Sequence, residues 1–277
     1  MTSESCLICK NKCTNFKKFN QYEILICDDC SFSYIKTNKV TPDEVFSKSA
    51  KNFYDRSMTR DTERAELFAK KIAKKRINAY KKILKKKPSD VLEIGCGSAA
   101  ISDGFLNNGV NYNGIELDLN MYKFAISKSR NVVHGNFLTT NFKQKFDVLF
   151  ASQVVEHIDE PNIFFNKCNE VLSKDGILHI DVPNDNSVIS YIRKIYSNKN
   201  YYGAIRPPYH MRAYTSKSLK KLFLKNNFYN IKTFSKFNLD RTYGQIVETI
   251  PFKINLLFRL QQLTGKNSLL VGLAQKK

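Results

Sequence analysis

Two pairs of cysteines, Cys6-x-x-Cys9 and Cys27-x-x-Cys30, stand 17 residues apart at the start of this 277-residue chain. Each pair presents two thiolates on a tight turn, and four thiolates complete a tetrahedral shell around zinc. The separation falls within the roughly 15–20 residues of paired zinc knuckles. Such a shell leaves no position for water or substrate, so the expected role is structural, a metal folding a piece too small for its own core. Cys13 lies between the pairs and could replace one of the four. A disulfide reading suits an exported chain, and the polar start MTSESCLICK carries no apolar export signal.

A second set begins at Asp90-Val91-Leu92-Glu93-Ile94-Gly95-Cys96-Gly97. Here a short apolar strand feeds a glycine turn, and glycines at a strand's carboxyl end let the backbone pass close to a ligand in the crevice of an open α/β sheet. Gly97 is followed by Ser98, Ala99 and Ala100, so the third glycine of the dinucleotide pattern is missing. About 20 residues on, the next strand ends at Glu116, where a carboxylate can accept both hydroxyls of a ribose. Cys96 has no identifiable base beside it and reads as packing, as does Cys168.

Elements must position these groups. Between the cysteine pairs, TNFKKFNQYEILI reads as a short hairpin, giving a zinc-ribbon module over residues 1–40. A helical linker or cap follows over 41–88, from the turn signal Thr41-Pro42-Asp43-Glu44 to the stop at Pro88-Ser89. Over 89–277 strand-like segments (VLEIG, YNGIEL, NVVHG, FDVLFAS, GILHIDVP) alternate with helical ones (Ala99 to Asn108, Asn120 to Ser129, Pro161 to Leu172). The alternation predicts a Rossmann-like, doubly wound and mostly parallel sheet. Helices at Ser216 to Asn226 and Phe252 to Leu263, with strands IKTFSKF and SLLVGLA, could finish it. The stretch of about 197–214, rich in tyrosine, proline and basic residues, reads as a lid loop.

VLEIGCGSA, GIELD, HGNF and FDVLFASQVVEHIDEP resemble, in order and spacing, the motifs of class I S-adenosylmethionine (SAM)-dependent methyltransferases over roughly Val91 to Asn184. The pair Glu156-His157 and the later RPPYHMRAYTSKSLKKLFLKNNF resemble the small-molecule members. A zinc ribbon ahead of such a domain resembles enzymes of sugar and surface-polysaccharide biosynthesis. The resemblance implies that Glu93, Gly95 and Gly97 surround the amino acid part of SAM, that Glu116 holds the ribose, and that Asn136, Phe137 and Ser152 complete the cofactor site. Asn136 stands where the family usually has Asp.

The resemblance also places His157 and His210 at the active-site mouth, as bases for a hydroxyl acceptor. His134 and His179 lie within strand runs and read as structural. Arg206 and Arg212 could hold a phosphate or carboxylate of the acceptor beside Tyr209. The implied activity is methyl transfer to a hydroxyl of a nucleotide- or phosphate-bearing sugar, with SAM as cofactor and zinc as a structural metal.

The composition, 42% hydrophobic and 12% aromatic, is that of a globular protein. No apolar run reaches the roughly 20 residues of a membrane span, so a cytoplasmic protein without membrane insertion is expected. The net charge of +20 raises nucleic acid as a partner. The excess is mostly lysine in an asparagine- and isoleucine-rich chain, as codon bias produces, and the dense run from Lys70 to Lys87 reads as one solvated helix face. An RNA methyltransferase is the rival reading, although Ala151-Ser152-Gln153-Val154 stands where the amino-group-modifying kind has Asn/Asp-Pro-Pro-Tyr. A non-catalytic SAM-binding scaffold is the second.

Overall fold

The computed structural model describes residues 4–36, 63–196, 201–236, 261 and 263–277. The cap from Thr41 to residue 62, residues 197–200 of the expected loop, and the expected helix Phe252–Leu263 apart from positions 261 and 263 lie outside the described residues. The chain packs as two compact units. One comprises Met1–Val40, Gln153–Phe165 and Ile180–Leu273, the other Thr41–Ser152, Asn166–His179 and Ala274–Lys277.

In the first unit, strands β1 (Glu4–Ser5) and β2 (Lys12–Cys13) pair antiparallel. Strands β3 (Asn15–Phe19) and β4 (Tyr22–Ile26) form the hairpin expected between the cysteine pairs, with Asn20 in the left-handed region at its turn. Strand β5 (Ser33–Ile35) continues the sheet, and β11 (Arg212–Ala213) pairs antiparallel with β5, Arg212 opposite Tyr34. The end of the expected lid loop is therefore a strand. Its Ala213 joins Phe19, Ile24, Ile35, Ala204, Ile205 and Met211 in a small apolar core that the hairpin's alternating residues alone could not close.

The alternating segments become β6 (Asp90–Ile94), α2 (Ser102–Leu106), β7 (Asn111–Glu116), α3 (Leu119–Ser127), β8 (Val132–His134), β9 (Phe146–Ser152), α4 (Pro161–Val171) and β10 (Leu172–Pro183). Then follow α5 (Val188–Ile195), α6 (Ser216–Lys225), β12 (Phe228–Lys236) and β13 (Leu269–Lys276). The sheet order is β12-β13-β10-β9-β6-β7-β8. Strand β6 runs parallel to both β7 and β9, and β7 parallel to β8. The last strand sits between β10 and β12, an inversion that alternation alone does not give. Helix α5 has no counterpart among the expected elements, although Ser187 caps it by accepting the Ser190 amide. Helix α2 starts at Ser102 rather than Ala99, because Ala99 has φ 53° and keeps the preceding turn non-helical. No helix among the described residues is long and apolar enough to cross a membrane.

In the second unit, helix α1 (Glu63–Leu84) buries Ala69, Ala73, Ile77 and Tyr80 along one face, while Lys70, Lys71, Lys74, Lys75, Lys81 and Lys82 are exposed. The basic run is thus a solvated face. Gly104 of α2 lies against α1 so closely that a Cβ there would meet Ala73 Cβ at 2.5 Å and the Lys70 backbone at 3.0 Å. Gly104→Ala is expected to cost about 1–3 kcal/mol through this overpacking, read as a lower midpoint in chemical denaturation with an unchanged slope.

Candidate functional site

The carboxyl ends of β6 and β7 hold the glycine-loop residues. Gly95 and Gly97 have φ of 64° and 55°, conformations that side chains rarely adopt, so the turn depends on them. The amides of Gly95 and Cys96 donate to Ile115 O at 2.9 and 3.2 Å. One oxygen of Glu116 accepts the Gly97 amide at 2.7 Å and the other accepts the Asp118 amide at 2.8 Å. Glu116 therefore closes the loop and retains lone pairs for a ligand, since each carboxylate oxygen has two. Burial pushes its carboxyl up, opposed by these two amides.

Glu93 is the polar member of a strand whose Val91, Leu92 and Ile94 are buried. It keeps some solvent access but is closely enclosed, and this desolvation pushes its carboxyl up to about 7, against the Tyr112 hydroxyl, which donates to it, and the Arg76 charge. Arg76 also lies 4.6 Å from the Phe150 ring centroid. Arg130 donates to Ser98 O at 2.7 Å and steadies the loop's far side. Tyr112, Arg76 and Arg130 carry no motif and were missed in the sequence. Cys96 is buried against Gly114 and its thiol is pushed well up by burial, as packing requires.

Asn136 Oδ1 accepts the Leu138 amide at 2.9 Å and shapes its own turn. Phe137 is buried beside Phe142, ring centroids 5.8 Å apart. Ser152 ends β9 and is partly accessible.

In the first unit, the sulfurs of Cys6, Cys9, Cys27 and Cys30 lie within 4.8 Å of one another. Cys6 to Cys30 is 3.6 Å and Cys9 to Cys27 is 3.4 Å, too long for disulfides of about 2 Å and near the separation of about 3.8 Å expected on a zinc tetrahedron. The amides of Ile8 and Cys30 donate to the sulfurs of Cys6 and Cys27 at 3.4 Å. Burial first, then the neighbouring thiols, pushes Cys9 up to about 11, a cost that a divalent cation removes. Cys13 stays outside the four as a buried residue of β2.

Also in this unit, a 3-10 turn at Val155–His157 presents the Glu-His pair, and Arg206 and His210 bridge across Pro207-Pro208-Tyr209. The structure brings the two histidines together, rings edge to face with centroids 5.0 Å apart. One ligand atom each of Glu156, His157 and His210 lies within 4.8 Å of the others. His157 Nδ1 is 2.6 Å from Tyr209 O. A carbonyl only accepts, so Nδ1 bears the hydrogen, and in the neutral ring Nε2 carries the lone pair. In the second unit, His179 Nδ1 meets the Tyr80 hydroxyl at 2.6 Å, and His134 Nε2 meets Leu117 O at 3.1 Å.

Arg206 is exposed, 5.3 Å from the Tyr209 ring centroid. Arg212 departs from the expectation that it holds substrate. It is buried and donates to Asp159 Oδ1, Asp159 O, Ile35 O and Met211 O, so its fork is spent on the fold. A buried guanidinium must satisfy its donors with whatever acceptors the packing brings within reach, and here these are three backbone carbonyls and one carboxylate.

The strand order and the glycine turn define a Rossmann-like methyltransferase fold with a mostly parallel sheet. The chain belongs to the methyltransferase-domain family, whose model matches residues 62–233 and leaves the cysteine hairpin outside. It is 26% identical over 106 residues to the ubiquinone biosynthesis O-methyltransferase of Glaesserella parasuis serovar 5 (strain SH0165), a match covering 34% of this chain and 45% of that one. It thus spans less than half the length of this curated relative. Among solved structures, a SAM-dependent methyltransferase from Archaeoglobus fulgidus is similar with TM-score 0.52 and 20% identity, over 75% of this chain and 94% of that one. The plantazolicin methyltransferase BamL, in complex with a triazolic desmethylPZN analog and SAH, gives TM-score 0.56 and 15% identity over 84% and 93%.

Glu93 carries a testable consequence. Its folded pKa of about 7 lies above the ordinary 4.5, so its contribution to stability is full below the ordinary value and is lost as pH rises through about 7. Chemical denaturation across pH 4.5–7 should therefore show Glu93→Gln gaining on the parent by roughly 2–3 kcal/mol as pH increases.

Proposed function

We propose that this chain transfers a methyl group from SAM to a hydroxyl of a small acceptor, a nucleotide- or phosphate-bearing sugar of surface-polysaccharide biosynthesis, in the cytoplasm. The observation that carries the cofactor reading is the pair of enclosed carboxylates, Glu93 and Glu116, on the turn of a methyltransferase fold. A cationic ligand suits them. SAM, whose sulfonium supplies an electrophilic methyl group, brings a further positive ammonium that Glu93 would hold indirectly, and ribose hydroxyls that the remaining lone pairs of Glu116 would accept. Gly95 and Gly97 would let the backbone close on the amino acid part. Asn136 and Phe137 would border the adenine, with Ser152 at the strand end beyond.

A hydroxyl acceptor releases a proton, and His157 would take it on Nε2 while Tyr209 O accepts its Nδ1 hydrogen. His210, edge-on to it, would relay or share that proton. The curated relative is named for O-methylation, which favours oxygen over nitrogen or carbon. The four-cysteine cluster would hold a structural zinc, its fit supported by the sulfur separations and the amides donated to them. The exposed lysines of α1 leave the RNA rival supported by charge alone.

Calorimetry should show SAH binding that tightens as pH rises through about 7, with a proton released below it; Glu93→Gln removes the proton release, and Glu116→Ala weakens binding at least about ten-fold. Binding by Glu116→Ala equal to the parent's would sink the cofactor assignment. With an acceptor in hand, His157→Ala should lower kcat by about 10²–10⁴ while SAH affinity holds, and unchanged turnover in both His157→Ala and His210→Ala would remove histidine from the mechanism. Elemental analysis should find one zinc per chain, lost together with thermal stability in Cys27→Ser; a metal-free parent that keeps its melting temperature in chelator would overturn the zinc reading.

A further inference from the structure

Arg193 lies in the last turn of α5, and its guanidinium carbon is 4.2 Å from the centroid of the Tyr201 ring. Arg206, at the foot of the histidine turn, is 5.2 Å from the same centroid and 5.3 Å from that of Tyr209. Two guanidiniums thus share one tyrosine. A cation at a helix carboxyl end is favourable by itself, but that does not explain why a second arginine is brought to the same ring.

The acids of this unit that form ion pairs are committed elsewhere among the described residues. Asp185 pairs with Lys194 at 2.7 Å, Asp159 with Arg212 at 3.1 Å, Asp181 with Lys236 at 3.3 Å, Asp29 with Lys217 and Lys221, and Glu4 with Lys36. No carboxylate among the described residues forms an ion pair with Arg193 or Arg206. Burial pushes Arg193 below the ordinary arginine value, with Tyr201 opposing the shift and the nearby Arg206 charge adding to it.

The pair is also held in place. Lys194, the residue after Arg193, is fixed by Asp185, a buried carboxylate that accepts in addition the Ala204 amide at 2.9 Å and the Ser33 hydroxyl at 3.4 Å. One buried acid therefore ties the end of α5 to the turn at Tyr202–Ile205 and to β5. Arg206 follows that turn directly. The arginines are poised on a braced frame while Arg206 stays open to solvent.

We propose that Arg193 and Arg206, spaced by Tyr201, bind a phosphate or diphosphate group of the acceptor, with Arg193 in the place that sequence reasoning gave to Arg212. Two adjacent cations that form no ion pair among the described residues match a dianionic phosphoryl group better than a monoanionic carboxylate, and guanidinium forks meet phosphate oxygens in pairs. The identity of the ligand as part of a methyl acceptor rests on the proposed function; the anion site itself does not.

The test titrates inorganic pyrophosphate into the full-length, SAH-saturated protein by calorimetry at constant ionic strength. Saturable binding at one site per chain is expected, weakened at least about ten-fold by Arg193→Gln and by Arg206→Gln, with SAH affinity and circular dichroism unchanged. Lys220→Gln, which removes the same charge from an exposed position of α6, should bind like the parent. Equal weakening by Lys220→Gln and Arg193→Gln would mean bulk attraction to a chain of charge +20 and would overturn the site. So would succinate binding as tightly as pyrophosphate, or vesicles of phosphatidic acid that bind the protein and that pyrophosphate does not displace. Pyrophosphate binding by a parent that binds no SAH would leave this site standing and remove the methyl-transfer reading.

Discussion

Strand β6 is paired on both sides, with β7 and with β9, and the chain can leave it only at its carboxyl end. That constraint shapes everything at the glycine loop. A parallel strand buried in this way must turn sharply into a helix that lies over the sheet, and the turn here passes through left-handed conformations at Gly95, Gly97 and Ala99. The neighbouring strand then supplies the acceptors: Ile115 O takes two loop amides and the Glu116 carboxylate a third. The loop is therefore held by β7 as much as by its own sequence. Glu93, the polar interruption in β6, is kept from isolation by the Tyr112 hydroxyl and the Arg76 charge.

The unit that carries the cysteines obeys a different constraint. A hairpin this small cannot bury a core, and it obtains one from residues nearly two hundred positions away. Ala204, Ile205, Met211 and Ala213 cover Phe19, Ile24 and Ile35, while Arg212 and Ala213 extend the sheet. Lys225 donates to Ile8 O and Asn162 to Leu7 O, so the first cysteine turn is gripped by side chains of α6 and α4. The segment that presents His210 is thus braced by the hairpin that would hold zinc. A structural metal in the hairpin would then bear on the geometry of the histidine turn through packing alone.

Much of this was legible in the sequence. The hairpin between the cysteine pairs, the strands at VLEIG, YNGIEL and FDVLFAS, the helix that begins at Ser216 and the solvated lysine face of α1 all follow from short-range pattern, which local stereochemistry enforces. The approach of Glu116 to the glycine loop was legible too, because parallel neighbours place their carboxyl ends side by side. Other features left no such trace. Nothing in the spacing distinguishes Arg212, whose donors are spent on Asp159 and three carbonyls, from Arg206, which stays exposed. Helix α5 leaves a weak pattern because its apolar stripe is short and ends in exposed Tyr191, Ile195 and Tyr196.

What the sequence determined by itself is therefore the chemistry available: four thiolates on two turns, a glycine turn after a buried strand, a carboxylate one strand over, and two histidines in irregular segments. These depend on residues near one another in the chain, where spacing and backbone preference suffice. Only the tertiary structure decided the partners. That His157 gives its Nδ1 hydrogen to Tyr209 O, that His210 stands edge-on to it, that Asp185 gathers Lys194, Ser33 and the Ala204 amide, and that Arg193 joins Arg206 on one ring are outcomes of burial. A buried polar group must find a partner wherever the packing brings one, and that choice is made across distances in the chain that no local pattern records.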